Sequence, residues 1–135
     1  MSEINLSEFP IMNLIIHYNR AIENEFWLEA IVLAHMYVET QLRKILEFDD
    51  FRKKPKTIPN EKVIELAKQA YNKRVVNKQL LRKIESFNKS RNDAVHNLTV
   101  GIISYEDLKA IATSSDQLIG ELRELEEDIR SRRTH

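Results

Sequence analysis

Between residues 108 and 129, seven positions recur at alternating intervals of three and four: Leu108, Ile111, Ser115, Leu118, Leu122, Leu125 and Ile129. Six of them are apolar and one is a serine. A helix puts positions spaced this way on one face, and three heptads make a helix long enough to run the length of a small domain. Ser104, with Asp107 three residues later, marks its start as a capping box in which Asp replaces the usual Glu or Gln. A stripe of this kind serves either packing within a bundle or pairing with a second copy; packing is the commoner outcome.

The rest of the chain follows the same period. Only two glycines and three prolines interrupt 135 residues, which favours long helices and few turns. Ser7, Glu8, Phe9 and Pro10 read as a helix start, and Ile11, Ile15, Tyr18 and Ile22 form the stripe of a first helix over residues 10–24. The second helix, residues 26–48, is the most apolar. From Ala30 to Val38 only His35 interrupts it, so it is expected to be buried nearly all round at the centre of the domain. Residues 49–60, DDFRKKPKTIPN, break every period and read as a basic loop. Asn60 is placed to cap a short third helix with Val63, Leu66, Ala67 and Ala70 on its apolar face. The pattern falters over residues 72–77, and a fourth helix runs to about residue 98, ended by Gly101. Five helices and no strands predict an all-α bundle with a long buried second helix and a long C-terminal helix, in a single domain spanning residues 1–135.

Without cysteine there is neither a disulfide framework nor a thiolate metal site. Charges interrupt the apolar segments too often for a membrane span, and the N-terminus lacks the basic start and apolar run of a signal peptide. A soluble, cytoplasmic protein is the expectation. The net charge of zero conceals an asymmetry. Residues 1–51 hold 3 Lys/Arg against 9 Asp/Glu, residues 52–92 hold 13 against 3, and residues 93–135 hold 5 against 9. The basic middle third can attract a phosphate backbone, with Arg52, Lys53, Lys54 and Lys89 as candidate RNA contacts.

That basic third ends at the stretch KSRNDAVHNL, residues 89–98. Arg91 falls within the apolar stripe of Leu80, Ile84, Phe87, Ala94 and Leu98. A guanidinium on a core-facing position is costly unless it is paired or opens to a cleft, so this departure from pattern marks a candidate site. The chain has no Gly-rich phosphate loop, no His-Glu-x-x-His pattern and no carboxylate cluster of the metal-nuclease kind. His17, His35, His96 and His135 are scattered, and no cofactor or metal is expected. What remains is Arg91, Asn92 and His96, with Asp93 beside them. Arginine can hold two phosphate oxygens and stabilise developing charge. Histidine can take a proton from a ribose 2′-hydroxyl or give one to a leaving oxygen. On a straight helix Arg91 and His96 point about 140° apart, so they share a cleft only if Arg91 reaches round or a two-fold dimer brings copies together. His35 and Glu39 lie one turn apart on the second helix, as a core pair or as support behind Arg91 and His96.

Arg91-Asn92-Asp93-Ala94-Val95-His96 resembles the motif of HEPN domains, an Arg followed after four to six residues by His, often with a polar residue after the Arg. The small helical bundle with its motif on a late helix is similar as well. Arg130 to His135 is a second formal match, on a polar tail without apolar context. The resemblance implies a homodimeric, metal-independent endoribonuclease that cleaves by 2′-hydroxyl attack and leaves a cyclic phosphate, or a catalytically silent relative that binds RNA. It implies Arg91 as phosphate ligand, His96 as acid/base and Asn92 as the orienting residue. Toxin and defence roles follow from the same resemblance, in some cases with a nucleotidyltransferase-like antitoxin as partner. From the residues themselves, a non-enzymatic RNA- or nucleotide-binding module and a protein-interaction subunit using residues 108–129 stand as alternatives.

Overall fold

A computed structural model describes residues 9–49 and 63–133, in five helices: α1 (Phe9–Glu23), α2 (Trp27–Asp49), α3 (Val63–Asn72), α4 (Lys78–Thr99) and α5 (Tyr105–Arg133). The all-α expectation holds, with helix ends within one or two residues of those read from the sequence. The expected basic loop, the Asn60 cap, Ser7, Glu8 and the candidate contacts Arg52, Lys53 and Lys54 lie outside the described residues, as does His135.

All the other helices pack on α2. Ala30, Ile31, Ala34, Val38, Leu42 and Ile45 are completely buried on its inner side, and Tyr37 nearly so. Burying a side chain of Val or Leu size contributes about 1.5–3 kcal/mol before conformational entropy is subtracted. α2 and α5 run parallel: Trp27 meets Tyr105 edge-on at 6.3 Å near their starts, and Lys44 pairs with Glu126 at 3.5 Å near their ends. α1 packs on α2, and its Tyr18 hydroxyl reaches α5, hydrogen-bonded to Ser115 Oγ at 2.8 Å. This explains the serine in the α5 stripe, since Ser115 is buried and its hydroxyl also donates to the Ala112 carbonyl. Burial pushes the Tyr18 and Tyr37 hydroxyls up to about 12. α4 returns beside α5, with Lys83 bridging to Glu121 at 2.8 Å.

The α5 stripe packs within the bundle. Ala112, Leu118, Ile119 and Leu122 are buried, and Leu108, Ile111, Leu125 and Ile129 pack against the same core. The Ser104–Asp107 capping box is present with both reciprocal bonds, Asp107 N–H to Ser104 Oγ at 3.1 Å and Ser104 N–H to Asp107 Oδ2 at 3.3 Å. α2 departs from expectation in one respect. Val32 and Met36 are exposed, so its circumference is open along one face.

Three helices end in the same hydrogen-bonded C-terminal motif. After α1, Phe26 N–H donates to the Ala21 carbonyl and Glu25 N–H to the Ile22 carbonyl. Val75 and Arg74 repeat this after α3, and Ile102 and Gly101 after α4. The motif requires a left-handed residue, and Glu25 (φ 59°), Arg74 (φ 61°) and Gly101 (φ 74°) occupy that position. Only one of the three is glycine, so two helix ends carry backbone strain. Gly101→Ala is therefore expected to cost about 1 kcal/mol, and Glu25→Gly to gain about 0.5 kcal/mol or more, in urea unfolding. A Cβ at residue 101 would meet nothing within 4 Å, so equal stability of Gly101→Ala and wild type would contradict the assignment of that strain.

Candidate functional site

α4 forms because Asn77 caps it, its side chain accepting from the Leu80 N–H at 2.8 Å, and because Leu80, Ile84, Phe87 and Ala94 anchor one face in the core. Arg91 lies on this face and is half-buried. Its Nη1 donates to Asn92 Oδ1 at 3.0 Å, and its Nε is buried without a hydrogen-bond partner. No carboxylate pairs with Arg91 among the described residues. An Arg-to-acid core bridge is thus not what holds it, and an unpaired buried donor costs about 1–3 kcal/mol. Asn92 acts on the guanidinium rather than on His96.

From α2, His35 faces the same place. It is half-buried, and Asn88 and Arg91 of α4 both act on its imidazole. Burial, and then the Arg91 guanidinium, hold its imidazole below the ordinary histidine value, with the Asn88 bond and Glu39 opposing them. Glu39, one turn from His35 on α2, acts on the imidazole through its charge. Asn88 was not singled out in the sequence. Its signal is its spacing, three residues before Arg91 and four before Asn92, which puts it on the same side of the helix.

His96 stands apart from this group. It is exposed, as are Lys89, Asn92 and Asp93. Lys89, Asn92 and His96 follow at intervals of three and four, so they form a polar strip beside Arg91. The structure therefore gathers His35, Asn88, Arg91 and Asn92 across the α2–α4 seam and leaves His96 on the neighbouring solvent face. Leu98, expected in the buried stripe, is exposed as well, because α4 reaches the end of the bundle there. Among the described residues no group of three or more His, Cys, Asp or Glu is placed to hold a metal ion. No described helix is long and apolar enough to cross a membrane.

Val32 and Met36 on α2, Val95 and Leu98 on α4 and Ile16 on α1 are exposed, as are Phe26, Val100, Ile102 and Tyr105 near the helix ends.

Comparison with known proteins finds no matching family model, no similar curated protein and no similar solved structure.

The depressed His35 value has a consequence for stability. The unfolded chain protonates its histidine first as pH falls, so the contribution of His35 is complete above about 6.5 and is lost as the pH drops through the lower folded value. Urea midpoints at pH 7.5 and 5.5 are expected to differ more for wild type than for His35→Gln. An equal difference in the two proteins would mean that His35 is not held neutral by its surroundings.

Proposed function

We propose that this chain is a metal-independent endoribonuclease of HEPN type that acts as a homodimer. The observation that carries this reading is Arg91, a half-buried guanidinium with no acidic partner among the described residues, set beside a polar strip that contains His96. A cation maintained at that cost, and not used in an ion pair, is suited to a phosphate. RNA supplies its own nucleophile. A base removes the 2′-hydroxyl proton, the 2′-oxygen attacks phosphorus, and the 5′-oxygen leaves with a proton, giving a 2′,3′-cyclic phosphate. Arg91 holds the phosphate oxygens and stabilises their growing charge, Asn92 orients Arg91, and His96 exchanges the proton.

The separation of Arg91 and His96 around α4 is the reason to invoke two copies. The exposed apolar residues along α2 and α4 give a two-fold pairing a surface, and such a pairing sets the His96 of one copy near the Arg91 of the other. The basic residues of the middle third, Lys89 among them, supply attraction to RNA. A toxin or defence role, with a nucleotidyltransferase-like antitoxin, belongs to the same proposal through the HEPN resemblance. One observation favours a second reading. No hydrogen bond joins His96 to Arg91 or Asn92 among the described residues, which also fits a module that binds RNA or nucleotide without cutting it. The interaction-subunit reading has less support, because the α5 stripe packs against the core.

Mixed single-stranded and structured RNA incubated with the protein in EDTA tests the proposal. Cleavage to cyclic-phosphate ends is expected, falling about 10²-fold or more in His96→Ala and in Arg91→Ala, with dimers retained in light scattering. RNA that is bound but left whole by wild type would replace the nuclease with the binding module. Intact RNA together with loss of stability in both variants would make Arg91 and His96 structural.

A further inference from the structure

The two ends of α4 carry contrasting surfaces, and its 22 residues hold them about 33 Å apart. Past its C-terminus, the turn into α5 meets the turn between α1 and α2, where Trp27 and Tyr105 pack edge-on at 6.3 Å. Phe26 on one turn and Val100, Ile102 and Tyr105 on the other are exposed, Ile102 keeping 70 % of its surface in water. Residues 23–29 and 98–108 hold Glu23, Glu25, Glu29, Glu106 and Asp107, and neither Lys nor Arg. This end is apolar with an acidic rim. At the other end a cleft of about 550 Å³ opens between the α3–α4 turn and α5. Val75, Val76, Leu80 and Leu125 give it apolar walls, and the exposed Tyr71 and Arg74 line it as well. Residues 72–83 hold Lys73, Arg74, Lys78, Arg82 and Lys83, and neither Asp nor Glu. On the α5 wall Glu121 is paired with Lys83, Glu126 with Lys44 and Arg130, and Asp128 with Arg132, so its acidity is partly neutralised. The cleft is apolar with a basic rim.

We propose that the chain associates head to tail, the apolar end of one copy seating in the basic cleft of the next. The occupant is a second copy because each surface complements the other and neither complements itself. Apolar side chains meet apolar walls, and an acidic rim meets a basic one. Two acidic ends repel each other, as do two basic clefts, so a two-fold pairing through either surface is disfavoured. A contact between unlike surfaces repeats from copy to copy. Because the two surfaces lie at opposite ends of α4, successive copies extend as an open chain and do not close on themselves. The apolar end presents only a few side chains, so the contact is small and the assembly reversible. Arg91 and His96 lie between the two contacts on α4, and the proposal uses neither of them.

Sedimentation equilibrium of the intact chain from about 10 μM to about 1 mM, at low and high salt, tests this over the range expected for a small interface. The average mass is expected to climb with concentration past two copies without levelling off, and to fall as salt screens the opposed rims. Two double variants then separate the surfaces. Phe26→Ser with Ile102→Ser removes the apolar end, and Arg74→Glu with Lys78→Glu reverses the cleft rim. Each variant alone is expected to stop growing, whereas an equal mixture regains mass, because one supplies an intact cleft and the other an intact end. A mass fixed at one or two copies, growth indifferent to salt, or a mixture no heavier than its parts would overturn the assembly. The wild-type series needs no variant, so loss of fold in either one does not blunt the test. Failure of the two readings can be told apart. A mass that levels off at two copies, with RNA cleaved, removes the head-to-tail chain and keeps the nuclease. Growth restored by mixing, with RNA left whole, does the reverse.

Discussion

The bundle depends on the burial of α2. All four other helices pack on it, and a row from Ala30 to Ile45 lies at its centre with almost no contact with solvent. The small residues Ala30 and Ala34 let neighbours approach closely, while Ile31, Tyr37, Leu42 and Ile45 fill the space between them. This arrangement also determines where the site is. α2 has more circumference than its neighbours cover, and the uncovered part presents Val32, His35 and Met36 beside α4. The candidate seam is the boundary of the core.

At that boundary α4 satisfies two conflicting demands. Leu80, Ile84, Phe87 and Ala94 hold it in the bundle, and Arg91 occupies the same face. Hydrophobic burial exceeds the cost of one poorly satisfied guanidinium several-fold, so the helix tolerates it. A leucine at residue 91 would serve packing better. Under the proposed function, the arginine is a group whose partner arrives from outside.

The sequence made the fold legible because helical periodicity is a local signal. The α5 stripe, the Ser104–Asp107 box, the Asn77 start of α4 and the stop at Gly101 all depend on residues within a few positions of one another. The site was legible in part. Arg91 stood out because it broke a pattern, and its neighbour Asn92 proved to be its hydrogen-bond partner. Asn88 did not stand out, since its role depends on His35, 53 residues earlier in the chain. The open face of α2 was hidden for a related reason. A valine and a methionine among apolar residues look buried until the neighbouring helices are placed, and periodicity does not say how many neighbours a helix has. The left-handed turns at Glu25 and Arg74 escaped notice because glycine is their usual marker.

The claim at the centre of this account is that RNA meets the protein along the seam between α2 and α4. Amide hydrogen exchange with and without a bound, uncleavable 2′-O-methyl RNA measures this over the whole chain. Added protection concentrated in residues 32–39 and 88–98 is the predicted result. Protection confined to the cleft of about 550 Å³ beside Tyr71, Arg74 and Asn77, with the seam unchanged, would contradict it.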